Sequence, residues 1–162
     1  DGIKTLRNQA FNRCSSLRSF SLPPSIEWID SYIFNNCSSL EHAAIPDSVK
    51  YLGDGAFQNC TSLKSASVGN GIKLVEAQLF RGCSALKTVT LGNNVERIQI
   101  DSFYDCPVLE SVTLPTAVPP AVFSGGMEDY AHLKFYVPAD AVSAYQMAAN
   151  WSEIAGSIFA MP

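Results

Sequence analysis

All five cysteines of this chain fall on one period. Cys14, Cys37, Cys60, Cys83 and Cys106 follow one another at a single constant interval. A fixed step of roughly 20–50 residues marks stacked structural repeats, because one such unit cannot bury its own apolar face. Five further ladders keep the step. Phe11, Phe34, Phe57, Phe80 and Phe103 stand three residues before each Cys, and Leu17, Leu40, Leu63, Leu86 and Leu109 three after it. Leu22, Ile45, Val68, Leu91 and Leu114 form an aliphatic ladder, as do Ile3, Ile26, Val49, Ile72 and Val95, and Leu6, Ile29, Leu52, Val75 and Ile98.

Each unit reads as a short circuit of the chain. LKTVTL (Leu86–Leu91) and LESVTL (Leu109–Leu114) alternate apolar and polar residues, the pattern of a strand with one buried face. Pro23, Pro46, Gly69, Gly92 and Pro115 stop each strand at one register. Pairs such as Val95 and Ile98 fit a second short extended piece, and the spacing of Ala56, Phe57 and Cys60 suits one helical or 3₁₀ turn. Stacked coils place equivalent residues about 4.8 Å apart where strands pair. The core becomes a column, Phe on Phe and Leu on Leu. One ladder is uneven (Phe20, Ala43, Ala66, Val89, Val112) and predicts that Phe20 leans into space left by Ala43.

The unit resembles the BspA-like leucine-rich repeats, with their AF-x-x-C-x-x-L-x-x-[IV]-x-[LI]-P pattern. AFQNCTSLKSASV (Ala56–Val68) lies close to it, and the likeness covers residues 3 to about 117 in five units. The resemblance implies a β-rich α/β solenoid, a leucine-rich repeat fold with 23-residue coils. It also implies an extracellular or cell-surface protein of bacteria such as Bacteroidetes, with an adhesin-like role toward host or bacterial proteins.

The pattern stops after Thr116. Pro119 and Pro120 break it, and Ser124–His132 is a loop by composition. LKFYV (Leu133–Val137) alternates again, and Pro138 stands one full repeat after Pro115, which predicts a sixth strand in register. ADAVSAYQMAANW predicts a helix with Asp140 as N-cap and with Val142, Tyr145 and Ala149 on one face. Ile154, Ile158 and Phe159 suit a closing strand. The expected division is residues 1–117 for five coils and 118–162 for a C-terminal α/β cap covering the last coil. The segment Tyr136–Gly156 resembles the element that often ends these bacterial repeat proteins. At the other end Ile3 and Leu6 already occupy repeat positions, with Asp1 and Gly2 before them. The expectation there is truncation of earlier coils or an open first coil able to self-associate.

Chemistry-bearing residues are few. The cysteine count is odd and the column points one way, which favours small buried free thiols over disulfides and over a zinc site with converging ligands. Asn36-Cys37-Ser38, Asn59-Cys60-Thr61 and Asn150-Trp151-Ser152 match the N-glycosylation pattern, the first two as by-products of the repeat. Neither a nucleophile elbow, a phosphate loop nor a His-Glu-x-x-His pattern occurs. His42 and His132 are expected exposed, and Glu128 and Asp129 solvated. A net charge of −4 gives no basic footprint for nucleic acid. No apolar run approaches the roughly 18 residues of a membrane span. The reading is therefore non-enzymatic, with no cofactor and no metal.

Solenoids usually bind through outward strand positions. These form three rows: Arg18, Glu41, Lys64, Lys87, Glu110; then Ser19, His42, Ser65, Thr88, Ser111, extended by Lys134; then Ser21, Ala44, Ser67, Thr90, Thr113, followed by Tyr136. The expected contact residues are Arg18, Glu41, His42, Lys64, Lys87, Thr88, Thr90, Glu110 and Tyr136, with a protein or glycan as partner. A carboxylate-bearing partner is favoured at the Lys64–Lys87 step. Trp28 and Tyr51 share a repeat position on another side, as stacked neighbours that cover the coil's own surface or form an aromatic patch. Two functions fit: a secreted or cell-surface binding module, and a structural spacer that presents another domain and has no ligand of its own.

Overall fold

The computed structural model describes residues 2–99, 101–122 and 130–162. Strands arise where the alternating stretches lie: β1 (Thr5–Leu6), β2 (Trp28–Ile29), β3 (His42–Ile45), β4 (Tyr51–Leu52), β5 (Ser65–Val68), β6 (Leu74–Val75), β7 (Thr88–Thr90), β8 (Arg97–Ile98), β9 (Ser111–Thr113), β10 (Ala121–Val122), β11 (Lys134–Val137) and β12 (Ile158–Ala160). The helix α1 (Val142–Met147) and a 3₁₀ segment (Trp151–Ser157) lie between the last two. The chain winds as a parallel β-solenoid. One six-stranded sheet runs β12-β11-β9-β7-β5-β3, and two three-stranded sheets of short strands run β1-β2-β4 and β10-β8-β6.

Register follows the step of the repeat. His42, Ser65, Thr88, Ser111 and Lys134 pair in sequence across the long sheet, as do Ala43, Ala66, Val89, Val112 and Phe135 one position on. The second row is buried, because successive side chains alternate between faces. The sixth strand thus stands in register, as Pro138 predicts. The short-strand sheet runs on beyond Thr116: Ala121–Val122 pairs with Arg97–Ile98, a step longer by a single residue than the repeat. The two prolines before it absorb that extra residue.

The Phe ladder forms a stack of near-parallel rings. Centroids of Phe11, Phe34, Phe57, Phe80 and Phe103 are 5.4, 5.4, 5.7 and 6.0 Å apart along the column. Phe20 leans as expected, stacking at 4.3 Å on Phe34 and reaching Phe57 of the following coil at 6.2 Å. The small Ala43 and Ala66 in its own register leave room for that reach. The N-terminal end of the column is less covered. Ile3 is 65% exposed, Phe11 is exposed and Leu17 half-buried, whereas Leu40, Leu63 and Leu86 are fully buried.

The segment around each Phe is not helical. Two residues per coil are left-handed: Gln9, Tyr32, Gly55, Gln78 and Asp101 at one position, and Arg13, Asn36, Asn59, Gly82 and Asp105 at another. Their φ values run from 56° to 72°. Such a backbone costs a non-Gly residue about 1–2 kcal/mol. Hydrogen bonds between coils offset it: Tyr32 N–H donates to the Asp54 carbonyl at 2.9 Å, Phe34 N–H to Ala56 at 2.9 Å, and Asn36 N–H to Gln58 at 2.8 Å. Every second amide of this segment thus points at the next coil, so this edge of the solenoid is stitched much as a sheet is.

The cap departs from expectation in detail. The N-cap of α1 is Ala141 rather than Asp140, with no side-chain capping bond. Ala149 lies beyond the helix and is exposed, while Tyr145 is buried. Ile154 belongs to the 3₁₀ segment, so the closing strand holds only Ile158–Ala160, parallel to β11. Two buried donors fasten the cap. Tyr145 Oη donates to the Thr116 carbonyl at 3.1 Å, and Trp151 Nε1 to the Pro120 carbonyl at 2.8 Å. Trp151 also meets Phe135 and Tyr145 edge-on at 5.2 and 5.1 Å.

Candidate functional site

The outward residues of the long sheet form the straight rows expected. Backbone bonds join Glu41 N–H to the Arg18 carbonyl, Lys64 to Glu41, Lys87 to Lys64 and Glu110 to Lys87, at 2.8–3.2 Å. Arg18, Glu41, Lys64, Lys87 and Glu110 are therefore consecutive rungs. Among them Arg18, Lys64, Lys87 and Glu110 are exposed, and so are His42, Thr88 and Thr90 of the neighbouring rows. Arg18 stands outside any regular strand, since β3 is the sheet's terminal strand on that side. Tyr136 is half-buried and pairs with Thr113.

Local pairing tempers the electrostatics of this face. Lys64 Nζ lies 2.5 Å from Glu41 Oε2, which holds the Glu41 carboxyl below its usual range. Lys64 is thus tied to the coil before it, and the like-charged Lys64–Lys87 step is softened. Such exposed pairs order the side chains but contribute little to stability. His42 Nδ1 lies 2.8 Å from Ser65 Oγ across one rung.

The aromatic end of the face was not visible in the repeat. Because β12 returns parallel beside β11, Phe159 pairs with Tyr136, their ring centroids 6.2 Å apart. Phe159 is 42% exposed. The hydroxyl-rich rows therefore terminate in a Tyr–Phe pair next to Lys134 and Thr113. The sequence pointed to a closing strand at Ile158 and Phe159, but it did not say which neighbour the strand would take.

The thiols are free, with one correction to their expected burial. Cys37, Cys60, Cys83 and Cys106 are buried, but Cys14 is exposed, because no described coil covers it. Burial pushes Cys37 up to about 11 and Cys60 and Cys106 to about 12, so they stay protonated and are poor nucleophiles. Near the cap an open cleft is lined by Phe103, Tyr104, Asp105, Cys106, Tyr130 and His132, with His132 itself exposed. Among the described residues no group of three or more His, Cys, Asp or Glu is placed to hold a metal ion. The Glu128–Asp129 pair lies outside the described residues. Trp28 and Tyr51 are stacked neighbours, 4.4 Å apart. No described helix is long and apolar enough to cross a membrane.

Residues 1–125 match the BspA type leucine rich repeat region in six copies. The chain belongs to the BspA-type leucine-rich repeat family. Three solved members of the wider leucine-rich repeat group share its winding. A leucine rich repeat protein of T. pallidum is 26% identical with a TM-score of 0.66, over 69% of this chain and 55% of that one. A leucine rich cell surface protein of Faecalibacterium prausnitzii is 26% identical with a TM-score of 0.58, over 78% of this chain and 29% of that one. A leucine-rich repeat protein of Eubacterium ventriosum is 25% identical with a TM-score of 0.59, over 90% of this chain and 38% of that one. This BspA-type chain thus spans between 29% and 55% of the length of these relatives. No curated protein sequence matches it significantly.

Proposed function

We propose that this BspA-type repeat chain is a non-enzymatic, adhesin-like binding module displayed on or secreted from a bacterial cell, and that its long-sheet face contacts a partner protein. The observation that carries the reading is the face itself. It is a run of rows in register holding Arg18, Glu41, His42, Lys64, Lys87, Thr88, Thr90 and Glu110, closed at one end by the Tyr136–Phe159 pair. Tyr and Arg are among the side chains that most often carry the binding energy of protein interfaces, and this face offers Tyr136 and Arg18. A rigid solenoid presents them at little ordering cost. Surface display is supported by the Faecalibacterium relative, described as a cell surface protein.

Binding of the purified chain to a panel of extracellular-matrix proteins tests the reading. A Tyr136→Ser, Phe159→Ser variant should weaken the captured partner at least tenfold. The Lys64→Glu, Lys87→Glu variant should weaken it less and chiefly at low salt, since exposed charges act over about one Debye length. A panel with no partner, or a partner indifferent to both variants, favours the spacer.

A further inference from the structure

We propose a second site, on the short-strand side of the solenoid, where Trp28 receives the apolar face of a neutral pyranose of a glycan. The column of outward residues there runs Thr5, Trp28, Tyr51 along paired strands. Tyr51 stacks on one face of the indole at 4.4 Å and 22°. The opposite face looks toward the first coil, whose residue in register is the small Thr5. An aromatic residue there would continue the stack; a threonine leaves a cleft of about 340 Å³ lined by Lys4, Thr5, Arg7, Glu27 and Trp28.

The indole is held rather than left loose. Trp28 Nε1 donates to Asp30 Oδ1 at 2.9 Å, and the other oxygen of Asp30 accepts from the Asn8 amide at 3.3 Å. Trp28 nonetheless remains 45% exposed. A large aromatic ring fixed from below and from the side, with its remaining face open, is pre-organised for a flat apolar surface.

The polar rim selects the kind of ligand. Glu27 bridges Lys4 at 3.0 Å and Lys50 at 2.7 Å, and Arg7 lies 3.9 Å from Asp30. The charged side chains at this rim, Lys4, Arg7 and Glu27, are therefore each already paired with an opposite charge. A ligand carrying one net charge must compete for one member of a pair and strand the other. Hydroxyl groups both donate and accept, so they can meet Lys4 and Glu27 without parting them. A sugar ring combines such hydroxyls with a face of C–H groups that suits the electron-rich indole face. Pockets of this kind pair one apolar wall with a few fixed polar groups.

Trp28 and Trp151 are the two tryptophans of the chain, and Trp151 is buried. Trp151 contributes a constant background, so a change in tryptophan emission on adding a sugar reports on Trp28. The probes are the methyl glycosides of glucose, galactose and mannose and of N-acetylglucosamine, with glucuronate and glucosamine as charged counterparts. At least one neutral glycoside should shift the emission saturably in the millimolar range. Thr5→Phe, which covers the open indole face while keeping the fluorophore, should weaken that response at least tenfold, and Tyr136→Ser should leave it unchanged. Saturation-transfer NMR on Trp28→Ala should show the same loss, with circular dichroism confirming the fold of both variants. No response to any neutral glycoside, a response only to the charged sugars, or an undiminished response in folded Thr5→Phe overturns the proposal.

Discussion

The Cys60 thiol donates to the carbonyl oxygen of Phe34, in the coil before it, at 3.1 Å. The same carbonyl accepts the Cys37 amide at 3.1 Å, so both its lone pairs are used. Cys37, Cys83 and Cys106 repeat the contact with Phe11, Phe57 and Phe80 at the same distance. The cysteine of the repeat is therefore more than a small hydrophobe: it ties each coil to the one before it. Removing thiol and volume together in Cys60→Ala should cost about 1–3 kcal/mol in urea denaturation, from a lost bond and a small cavity.

Thiol accessibility follows from the same geometry. Cys14 is exposed and the other four are buried. Native protein should react with one equivalent of a thiol reagent, and protein unfolded without reductant with five. Fewer than five in the unfolded state means a disulfide, and more than one in the native state means a looser column.

Alkaline stability should be limited by the buried thiols. Cys60 and Cys106 ionise near pH 12 in the folded chain, against about 9 when exposed. Above pH 9 the unfolded thiols lose protons that the folded ones keep. Each such thiol then lowers stability by about 1.4 kcal/mol per pH unit until its folded pKa is reached. Stability should be independent of these groups below pH 9 and fall between pH 9 and 12. Cys60→Ala should flatten that fall in urea titrations made across the window.

The leucine column should carry much of the core energy. Leu63 is fully buried between Leu40 and Leu86 of the adjoining coils, which are equally buried. Leu63→Ala should cost about 2–5 kcal/mol by chemical denaturation. A loss under about 1 kcal/mol would place Leu63 outside the stacked core.

The ladders were readable because each buried position repeats with one chemistry, so Cys, Phe and Leu announce the register directly. The left-handed turns were not, since Gln9, Tyr32 and Gln78 carry no glycine cue, and the bonds that accompany the turns, such as Gln9 N–H to Ser31 and Tyr32 N–H to Asp54 in the next coil, appear only once the coils are stacked. The short strand at Ala121–Val122 was hidden behind Pro119 and Pro120, and its step is out of phase with the repeat by a single residue. In the long-sheet face, every rung from Arg18 to Glu110 was legible from spacing. Phe159 was not, because its place beside Tyr136 depends on how the chain crosses through α1 and the 3₁₀ segment before returning. The Lys64–Glu41 pair is likewise a matter of rotamer, on which spacing is silent.

The central claim is that a partner protein docks on the long-sheet face, and hydrogen–deuterium exchange of the complex with the captured partner tests it most directly. Protection should follow the rows His42–Ala44, Ser65–Ser67, Thr88–Thr90, Ser111–Thr113 and Lys134–Tyr136, and extend to Phe159. Protection confined to Trp28–Ile29 and Tyr51–Leu52, with the long-sheet rows unchanged, would contradict it.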